Sequence, residues 1–222
     1  MRRVIFRDRT VPEGIQLAVK TDGVTKGAET RQRIVEEAAK IFNQNGFSGA
    51  SMSELMQATG LEKGGIYRHF SSKEELAAEA FDYAWKLSSE ARMSDLDSVP
   101  NSVDRLKRFI SNFVERRPSV PGGCPLLNTA IDADDGNAIL RARATKALRA
   151  WRGQLITIIT KGLEKKEIKQ GVDPEQLSTL VISSLEGALM MSRLEKNSDS
   201  LRAVQGTWTT ILRPRFALPS RN

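Results

Sequence analysis

The sequence predicts an all-α fold, with a small three-helix unit at the N-terminus and a larger helical domain after it. Apolar residues recur at helical spacing from Thr30 onwards, and no segment shows the polar–apolar alternation of a half-buried strand. Capping residues and glycines divide the chain into segments of helical length. With 222 residues and a hydrophobic fraction of 40%, the chain can bury a full core.

Residues 1–27 are predicted to form a flexible, basic arm. They lack helical periodicity and contain Pro12 and three glycines. Residues 1–33 carry eight basic side chains against four acidic ones. The arm therefore adds positive charge beside the first helix.

Two helices are predicted after the arm. The first begins near Thr30 and is closed by Gly46, a residue type that commonly ends helices. Ser51 followed by Glu54 forms a capping box, in which each side chain bonds the backbone N–H of the other residue. This box opens a short second helix that ends near Gly60.

A third short helix is predicted from about Lys63 to His69, and a long fourth helix follows it. Ser72 with Glu75 reads as a second capping box, and the apolar residues from Leu76 onwards continue at helical spacing. We therefore assign residues 28–75 to the first domain and residues 76–222 to the second.

The second domain is also predicted to be helical throughout. Asp173 is expected to cap a helix whose first residue is Pro174, a favoured position for proline. The remaining helices follow from the apolar spacing alone. Besides the fourth helix, the predicted helices cover about 103–116, 124–131, 137–167 and 174–194, with a last one from about 201 that Pro214 stops.

The charge distribution supports a nucleic-acid partner only weakly. The net charge is +7 and the isoelectric point is near 9.7. Residues 34–73 nevertheless carry four basic and four acidic side chains, whereas residues 141–169 carry nine basic and two acidic ones. The case for DNA binding must therefore come from the motif.

Composition excludes several other classes of site. The single cysteine excludes an intrachain disulfide and a multi-cysteine zinc site. No apolar run reaches the length of a signal peptide or of a membrane span. We expect a cytoplasmic protein without a membrane partner, a metal or an organic cofactor.

The segment from Ser51 to Leu76 predicts a helix-turn-helix, a motif that places its second helix in the DNA major groove. The longer stretch 30–76 contains, in order, a glycine before a loop, this motif, a Lys-Gly pair, Tyr-x-His-Phe and Lys-Glu-Glu-Leu. In this order and spacing it resembles the DNA-binding domain of the tetracycline-repressor (TetR) family. The resemblance implies a transcriptional regulator.

The resemblance also implies a set of DNA contacts. Lys63 would reach a phosphate or a guanine edge, Tyr67 a phosphate or a thymine methyl group, and His69 a phosphate. Lys73 begins the fourth helix, whose N-terminus favours an anion. Ser51, Tyr67 and His69 also have purely structural interpretations, as a cap, a packing aromatic and a surface histidine. The predicted DNA-binding residues are Ser51, Glu62, Lys63, Gly64, Gly65, Tyr67, Arg68, His69 and Lys73.

Two positions depart from the family pattern. The third helix usually opens with a serine or threonine cap, whereas Glu62 stands here, and glutamate repels phosphate unless it reads a cytosine amino group. Gly65 stands where a serine, threonine or alanine is usual. Since each glycine costs a helix about 1 kcal/mol relative to alanine, we expect a loose third helix that becomes ordered on DNA.

The resemblance further implies an effector pocket in the second domain and a homodimer. Each pocket residue can equally be ordinary core, and Cys124 can be either a redox sensor or a small buried residue. The predicted ligand-binding residues are Phe81, Trp85, Phe109, Phe113, Cys124, Leu127, Trp151, Leu155 and Met190. The last two helices are expected to pair with a second copy through two apolar stripes, which can instead be internal core. These stripes contain Leu177, Leu180, Val181, Leu185, Ala188, Leu189, Val204, Trp208 and Ile211.

The sequence therefore predicts a homodimeric repressor that binds a palindromic operator and is released by a small apolar or aromatic effector. An activator would have the same sequence features. The alternative from another class is a helical ligand-binding protein or enzyme with a vestigial DNA-binding motif. That enzyme would lack a histidine base in its second domain, because the only histidine is His69.

Overall fold

The computed structural model describes residues 25–116, 120–133 and 136–212. Within these ranges the chain forms nine α-helices and no β-strand, as the sequence predicted. The predicted arm, apart from its last three residues, and Pro214 lie outside the described residues. The helices are α1 Lys26–Gly49, α2 Met52–Thr59, α3 Lys63–Tyr67, α4 Lys73–Met93, α5 Ser102–Glu115, α6 Pro125–Asp132, α7 Ala138–Glu164, α8 Pro174–Leu194 and α9 Asp199–Ile211.

The first helix is longer than its periodicity indicates. It starts at Lys26, because the Thr25 hydroxyl accepts a hydrogen bond from the N–H of Ala28 and caps the first turn. Gly46 interrupts the helix as predicted, with a φ of 74° that favours glycine, although helical turns resume for three residues. A Cβ at Gly46 would also lie 2.9 Å from an oxygen of Asp132. The helix therefore breaks where α6 approaches it.

The cap of α4 differs from the predicted capping box. The Ser72 hydroxyl does accept from the N–H of Glu75, at 3.1 Å. The Glu75 carboxylate, however, accepts from the N–H and hydroxyl of Ser71, at 2.6 and 2.5 Å, instead of from Ser72. This bond lowers the pKa of Glu75. The prediction of a reciprocal box was wrong by one residue, because the chain before α4 turns so that Ser71 faces the carboxylate.

Helix α7 ends at Glu164, three residues before the predicted end. Lys166 has a φ of 58°, which ends the helix, and the Glu167 carboxylate accepts a hydrogen bond of 2.7 Å from the N–H of Ser102. Glu167 thus satisfies the first turn of α5 from another part of the chain. Gly162 allows this return, since a Cβ there would lie 2.6 Å from Ile168.

Helix α4 joins the two parts of the molecule. It packs most extensively on α1, and it also packs on α5, α6 and α7. Leu76, Ala80 and Ala84 belong to the core of the N-terminal unit, whereas Phe81 belongs to the core of the C-terminal domain. One helix therefore contributes side chains to both cores.

Candidate functional site

Helix α2 and the turn after it have the geometry that the sequence predicted. The Ser51 hydroxyl accepts from the N–H of Glu54 at 3.1 Å, and the Glu54 carboxylate accepts from the N–H of Ser51 at 2.7 Å. The hydrogen bonds that the N–H and the hydroxyl of Ser51 donate to the Glu54 carboxylate lower the pKa of Glu54. Gly60 ends the helix with a φ of 67°. The Ser51 hydroxyl also donates to Glu54, so within the protein Ser51 acts as a cap.

Helix α3 presents one buried face and one exposed face. Ile66 is buried in the N-terminal core with Phe70 and Leu55. Glu62 is the N-cap residue but makes no capping hydrogen bond with its side chain, as expected for glutamate. Its side chain is therefore free to interact outside the protein. The exposed residues of this segment are Glu62, Lys63, Gly64, Tyr67 and Arg68, while Gly65 and His69 are half-buried.

The two glycines of α3 are not required by the folded chain. Neither has a positive φ. A Cβ at Gly64 would meet nothing within 4 Å, and one at Gly65 would make an ordinary 3.5 Å contact with Leu61. Packing within the described structure therefore does not explain why glycine occupies these two positions. Because Gly64 is exposed and has no side chain, another molecule can approach the helix backbone closely at this residue.

Two lysines of the predicted DNA-binding set have defined positions in the structure. The Lys63 ammonium lies 5.9 Å from the centre of the Tyr67 ring, so both occupy the same part of the surface. The Lys73 ammonium donates to the carbonyl of Phe47 at 2.6 Å and lies 4.5 Å from the Phe47 ring. Lys73 thus fixes the start of α4 to the α1–α2 connection while two of its three donors remain available.

The C-terminal domain brings together eight of the nine residues predicted for a ligand pocket. Phe81, Phe109, Phe113, Cys124, Trp151 and Leu155 are buried in one core, and Trp85 and Leu127 pack against it. Met190 does not join them, because it lies on the outer face of α8 and is 47% exposed. The Trp151 ring lies about 6 Å from three other rings, those of Trp85, Phe109 and Phe113, at 5.8, 6.0 and 6.1 Å between centres.

Sequence reasoning missed two charged residues inside this core. Arg92 of α4 is 8% exposed, and its guanidinium donates to the Cys124 sulfur at 3.1 Å. The Cys124 thiol donates to the Glu186 carboxylate of α8 at 2.9 Å. Glu186 had a signal in the sequence, since it is the only charged residue between Leu177 and Ser192. Arg92 lies in a stretch of mixed polarity and gave none.

The environment of Cys124 bears on its predicted sensor role. Burial, the largest effect, raises the pKa of Cys124 to about 11, and the nearby guanidinium of Arg92 opposes the shift. Burial likewise raises the pKa of Glu186, against the same guanidinium. Because the reactive form of cysteine is the thiolate, Cys124 is a poor nucleophile at neutral pH.

The segment before α6 connects this core to the helix-turn-helix unit. Asn43 of α1 donates to the carbonyls of Pro121 and Gly123, at 2.7 and 3.3 Å. Asn128 donates to the carbonyls of Asn43 and Gly122, at 2.9 and 2.8 Å. One loop therefore contacts α1 on one side and carries Cys124 into the core on the other.

The apolar stripes predicted for dimerisation are mostly internal. Leu177, Val181, Leu185 and Ala188 of α8 are at most 3% exposed and belong to the core, as does Trp208 of α9. The Trp208 indole donates to the Ser184 hydroxyl at 2.9 Å, which fixes α9 on α8. Of the predicted set, Leu180 is the exposed member, at 52%. The internal-core interpretation is therefore correct for most of these residues.

Two further observations on the described residues concern membranes and metals. In the described ranges, no helix is both long and apolar enough to cross a membrane. The same ranges contain no group of three or more histidine, cysteine, aspartate or glutamate side chains that can hold a metal ion.

Family models match both parts of the chain. The model described as "Bacterial regulatory proteins, tetR family" matches residues 34–80, and "Tetracyclin repressor-like, C-terminal domain" matches residues 102–208. The chain is 42% identical to a TetR transcriptional regulator from Chloroflexus aurantiacus J-10-FL, with a TM-score of 0.83 over 87% of this chain and 99% of that one. A TetR-family regulator from Cytophaga hutchinsonii is 34% identical, with a TM-score of 0.82 over 89% and 100% of the two chains.

A curated relative has an assigned regulatory direction. The transcriptional repressor DhaR from Mycobacterium sp. strain GP1 is 25% identical over 173 residues, which is 77% of this chain and 86% of that protein. The fold and the exposed helix-turn-helix define a DNA-binding transcriptional regulator. The chain belongs to the TetR family.

Proposed function

We propose that the protein is a non-catalytic, homodimeric repressor in the cytoplasm, which binds a palindromic operator and is released by a small molecule bound in its C-terminal core. The observation that carries this proposal is the exposed face of α3. This face carries the cations Lys63 and Arg68 and the ring of Tyr67. The same helix contains two glycines, Gly64 and Gly65, where the folded chain has room for a larger side chain.

The face of α3 supports direct reading of DNA. Lys63 is the first residue of α3 and lies at the N-terminal end, which enters the major groove in this motif, while Tyr67, the last residue of α3, is exposed beside it. Glu62 has no cap bond and its carboxylate is available to accept from a cytosine amino group. Arg68 and Lys73 supply charge for the flanking phosphates.

A second copy of the chain would pair through the outer faces of α8 and α9. Leu180, Met190, Met191 and Leu194 are each at least 47% exposed and lie along one side of α8, with Gly187 between them. The exposed side of α9 carries small residues spaced three and four positions apart, so they lie on one face of the helix. Their small size allows another helix to approach closely. These residues of α9 are Ala203, Gly206, Thr207 and Thr210.

Effector binding would act on α3 through α4 and through the loop before α6. The N–H of Phe47 donates to the Asp132 carboxylate at 2.6 Å, which adds a contact between α6 and the end of α1. A ligand shifts the equilibrium between two conformations only if it binds them with different affinity. Because α4 spans both cores, a repacking around the ligand would change the separation of the two recognition helices.

Selection of genomic fragments bound by the purified protein tests this function. We expect enrichment of one palindrome, and we expect Lys63→Ala and Tyr67→Ala each to weaken binding to it at least about tenfold. Lys86→Ala is the matched control, because Lys86 is an exposed lysine of α4 whose side chain lies beside Glu90. Binding that falls with salt but shows no sequence preference would overturn the specific repressor.

A further inference from the structure

The guanidinium of Arg92 lies in an enclosure of three aromatic rings. Its central carbon is 4.5 Å from the centre of the Phe113 ring, 4.7 Å from that of Trp151 and 5.5 Å from that of Trp85. Contacts of this length are favourable cation–π interactions. The rings therefore hold a fixed positive charge inside the C-terminal core.

The pairing of this charge is incomplete. The Arg92 Nη2 atom is 4.0 Å from the nearer carboxylate oxygen of Glu186, which is too long for a hydrogen bond. The Cys124 sulfur lies between them, accepting from Nη2 and donating to Glu186 Oε1. A buried charge is stable only when its hydrogen bonds are made, and here one thiol serves both groups.

Four buried polar atoms in this region have no hydrogen-bond partner among the described residues. Two are donors, Arg92 Nη1 and Trp151 Nε1, and two are acceptors, Glu186 Oε2 and Gln154 Oε1. Arg92 and Trp151 are 8% and 1% exposed, so water does not reach their side chains freely. Unmade hydrogen bonds at buried atoms are unfavourable, so a group that bonds these atoms is stabilised there.

A solvent-open cleft with a partly apolar lining begins at Gln154, the residue that carries one of these four atoms. It has a volume of about 190 Å³. Its apolar lining residues are Met93, Leu96 and Ile158, and its polar or charged ones are Asp97, Arg105, Gln154, Thr157 and Lys161. Met93 follows Arg92 in α4, and Gln154 lies one helical turn after Trp151 in α7. A dry apolar cavity of about 150 Å³ binds benzene, so the cleft has room for one ring or a short chain.

We propose that this site takes an organic carboxylic acid, whose carboxyl group bonds Arg92 Nη1 and Trp151 Nε1 and shares one proton with Glu186 Oε2, while its apolar part enters the cleft. The inference rests on the proposed function, since it names the class of effector that would release the operator. It also adds a carboxyl group to the small apolar or aromatic effector that the sequence predicted.

The other ligand classes fit these atoms less well. A cationic ligand would meet the positive charge of Arg92, which already fills the space between the three rings. A purely apolar ligand would leave all four unpartnered atoms buried. A carboxyl group supplies two acceptor oxygens for the two donors, and its shared proton satisfies the Glu186 acceptor, so three of the four atoms gain a partner and only Gln154 Oε1 does not.

The shared proton makes binding depend on pH. Among the described residues, the titratable groups that face Glu186 are Arg92 from α4 and Cys124 from the loop before α6. Burial already raises the pKa of Glu186, so the carboxyl takes up a proton more readily than an exposed one. Because the complex holds one proton more than its ionised components, affinity rises as pH falls, by up to about tenfold per unit.

Calorimetric titration with benzoate, octanoate, benzamide and benzylamine tests the proposal. The further readouts are the tryptophan fluorescence of the protein, to which Trp85, Trp151 and Trp208 contribute, and release of a bound operator. We expect at least one of the two acids to bind the protein, more tightly at pH 6 than at pH 8, and its binding to release the operator DNA. The amide and the amine should bind at least about tenfold more weakly than the acid. Arg92→Met should lose at least about tenfold in affinity for the acid. Glu186→Gln should retain binding and lose its pH dependence.

Arg116→Met is the matched control, because Arg116 pairs with Asp95 at the surface and its side chain is 40% exposed. Circular dichroism and melting temperature verify folding, and Glu186→Gln carries the test if Arg92→Met does not fold. Benzamide or benzylamine binding as tightly as benzoate overturns the proposal, as does the absence of binding by both acids at about 10 mM. If either result is obtained but the protein still binds a specific operator, only the carboxylic-acid site is excluded and the proposed repressor function is retained. If the acid binds but the protein recognises no specific operator, the repressor function is excluded and the acid site is retained.

Discussion

Gly64 is the residue whose identity the folded chain explains least. It lies within α3 with a helical φ, and a Cβ there would meet nothing within 4 Å. Gly64→Ala should therefore stabilise the helix by about 1 kcal/mol, seen as slower amide exchange in α3, because alanine has the higher helix propensity. The same change should weaken operator binding at least about tenfold, because the added methyl group keeps the backbone from the DNA.

The control for this prediction is Gly153→Ala. Gly153 is an exposed glycine within α7, and a Cβ there would also meet nothing within 4 Å. This variant should gain about the same stability and bind the operator unchanged. If Gly64→Ala also bound the operator unchanged, close approach of this backbone to DNA would be excluded.

Cys124 provides a prediction about chemical reactivity. With its pKa raised to about 11 by burial, about one thiol in a thousand is ionised at pH 8. An exposed thiol, with a pKa near 8.5, is about one quarter ionised at that pH. A thiol reagent should therefore label the native protein at least about a hundred times more slowly than the denatured protein, and faster as pH rises. Equal labelling rates in the two states would restore the sensor hypothesis.

At the scale of the helices, the sequence correctly predicted the start and the end of α2, which depend only on residues close together in the chain. The capping box of Ser51 and Glu54 and the turn at Gly60 involve residues within one turn of each other, so the sequence contains all the information that they need. The exposed face of α3 followed from the same motif. One local feature was missed: the Glu75 carboxylate bonds Ser71 instead of Ser72, because the capping pattern does not distinguish two adjacent serines.

Features that depend on packing between distant helices could not be predicted. Arg92 and Glu186 come together only because α4 and α8 flank the same core, and 94 positions separate them in the chain. For the same reason the sequence did not show which apolar residues of α8 lie inside the protein. Periodicity shows that they share one face of the helix, but not whether that face packs on the same chain or on a second copy.

The loop before α6 packs closely on α1 at Gly122, and a substitution there tests how much this contact stabilises the fold. Gly122 has a φ of 107°, and a Cβ there would lie 2.4 Å from the carbonyl oxygen of Asn43. Gly122→Ala should lower the free energy of unfolding by at least about 3 kcal/mol, because backbone strain adds to a clash with backbone atoms of α1. Denaturant unfolding measures the change.

Gly171→Ala separates the two contributions. Gly171 also has a positive φ, of 87°, but a Cβ there would meet nothing within 4 Å. Only the strain applies, so this variant should lose about 1–2 kcal/mol. Equal losses in the two variants would mean that the loop moves away from Asn43 without penalty, and that it does not couple α6 to α1.

At the scale of the whole molecule, the outer face of α8 predicts how two copies associate. Leu180 is 52% exposed on that face although leucine favours burial. In a symmetric dimer each substitution counts twice, and burying a leucine contributes about 1.5–3 kcal/mol, so Leu180→Glu should cost at least about 3 kcal/mol of association. That loss corresponds to at least about a hundredfold in the dissociation constant, which sedimentation over a range of concentrations can measure.

Ile139→Glu is the matched control for the dimer prediction. Ile139 is also 52% exposed, but it lies at the start of α7, on another helix. Its substitution should leave both the dimer and operator binding unchanged, whereas Leu180→Glu should lose both, because one helix-turn-helix reads only half of a palindrome. A monomer produced by Ile139→Glu and not by Leu180→Glu would place the contact between copies on α7 and remove the assigned role of α8.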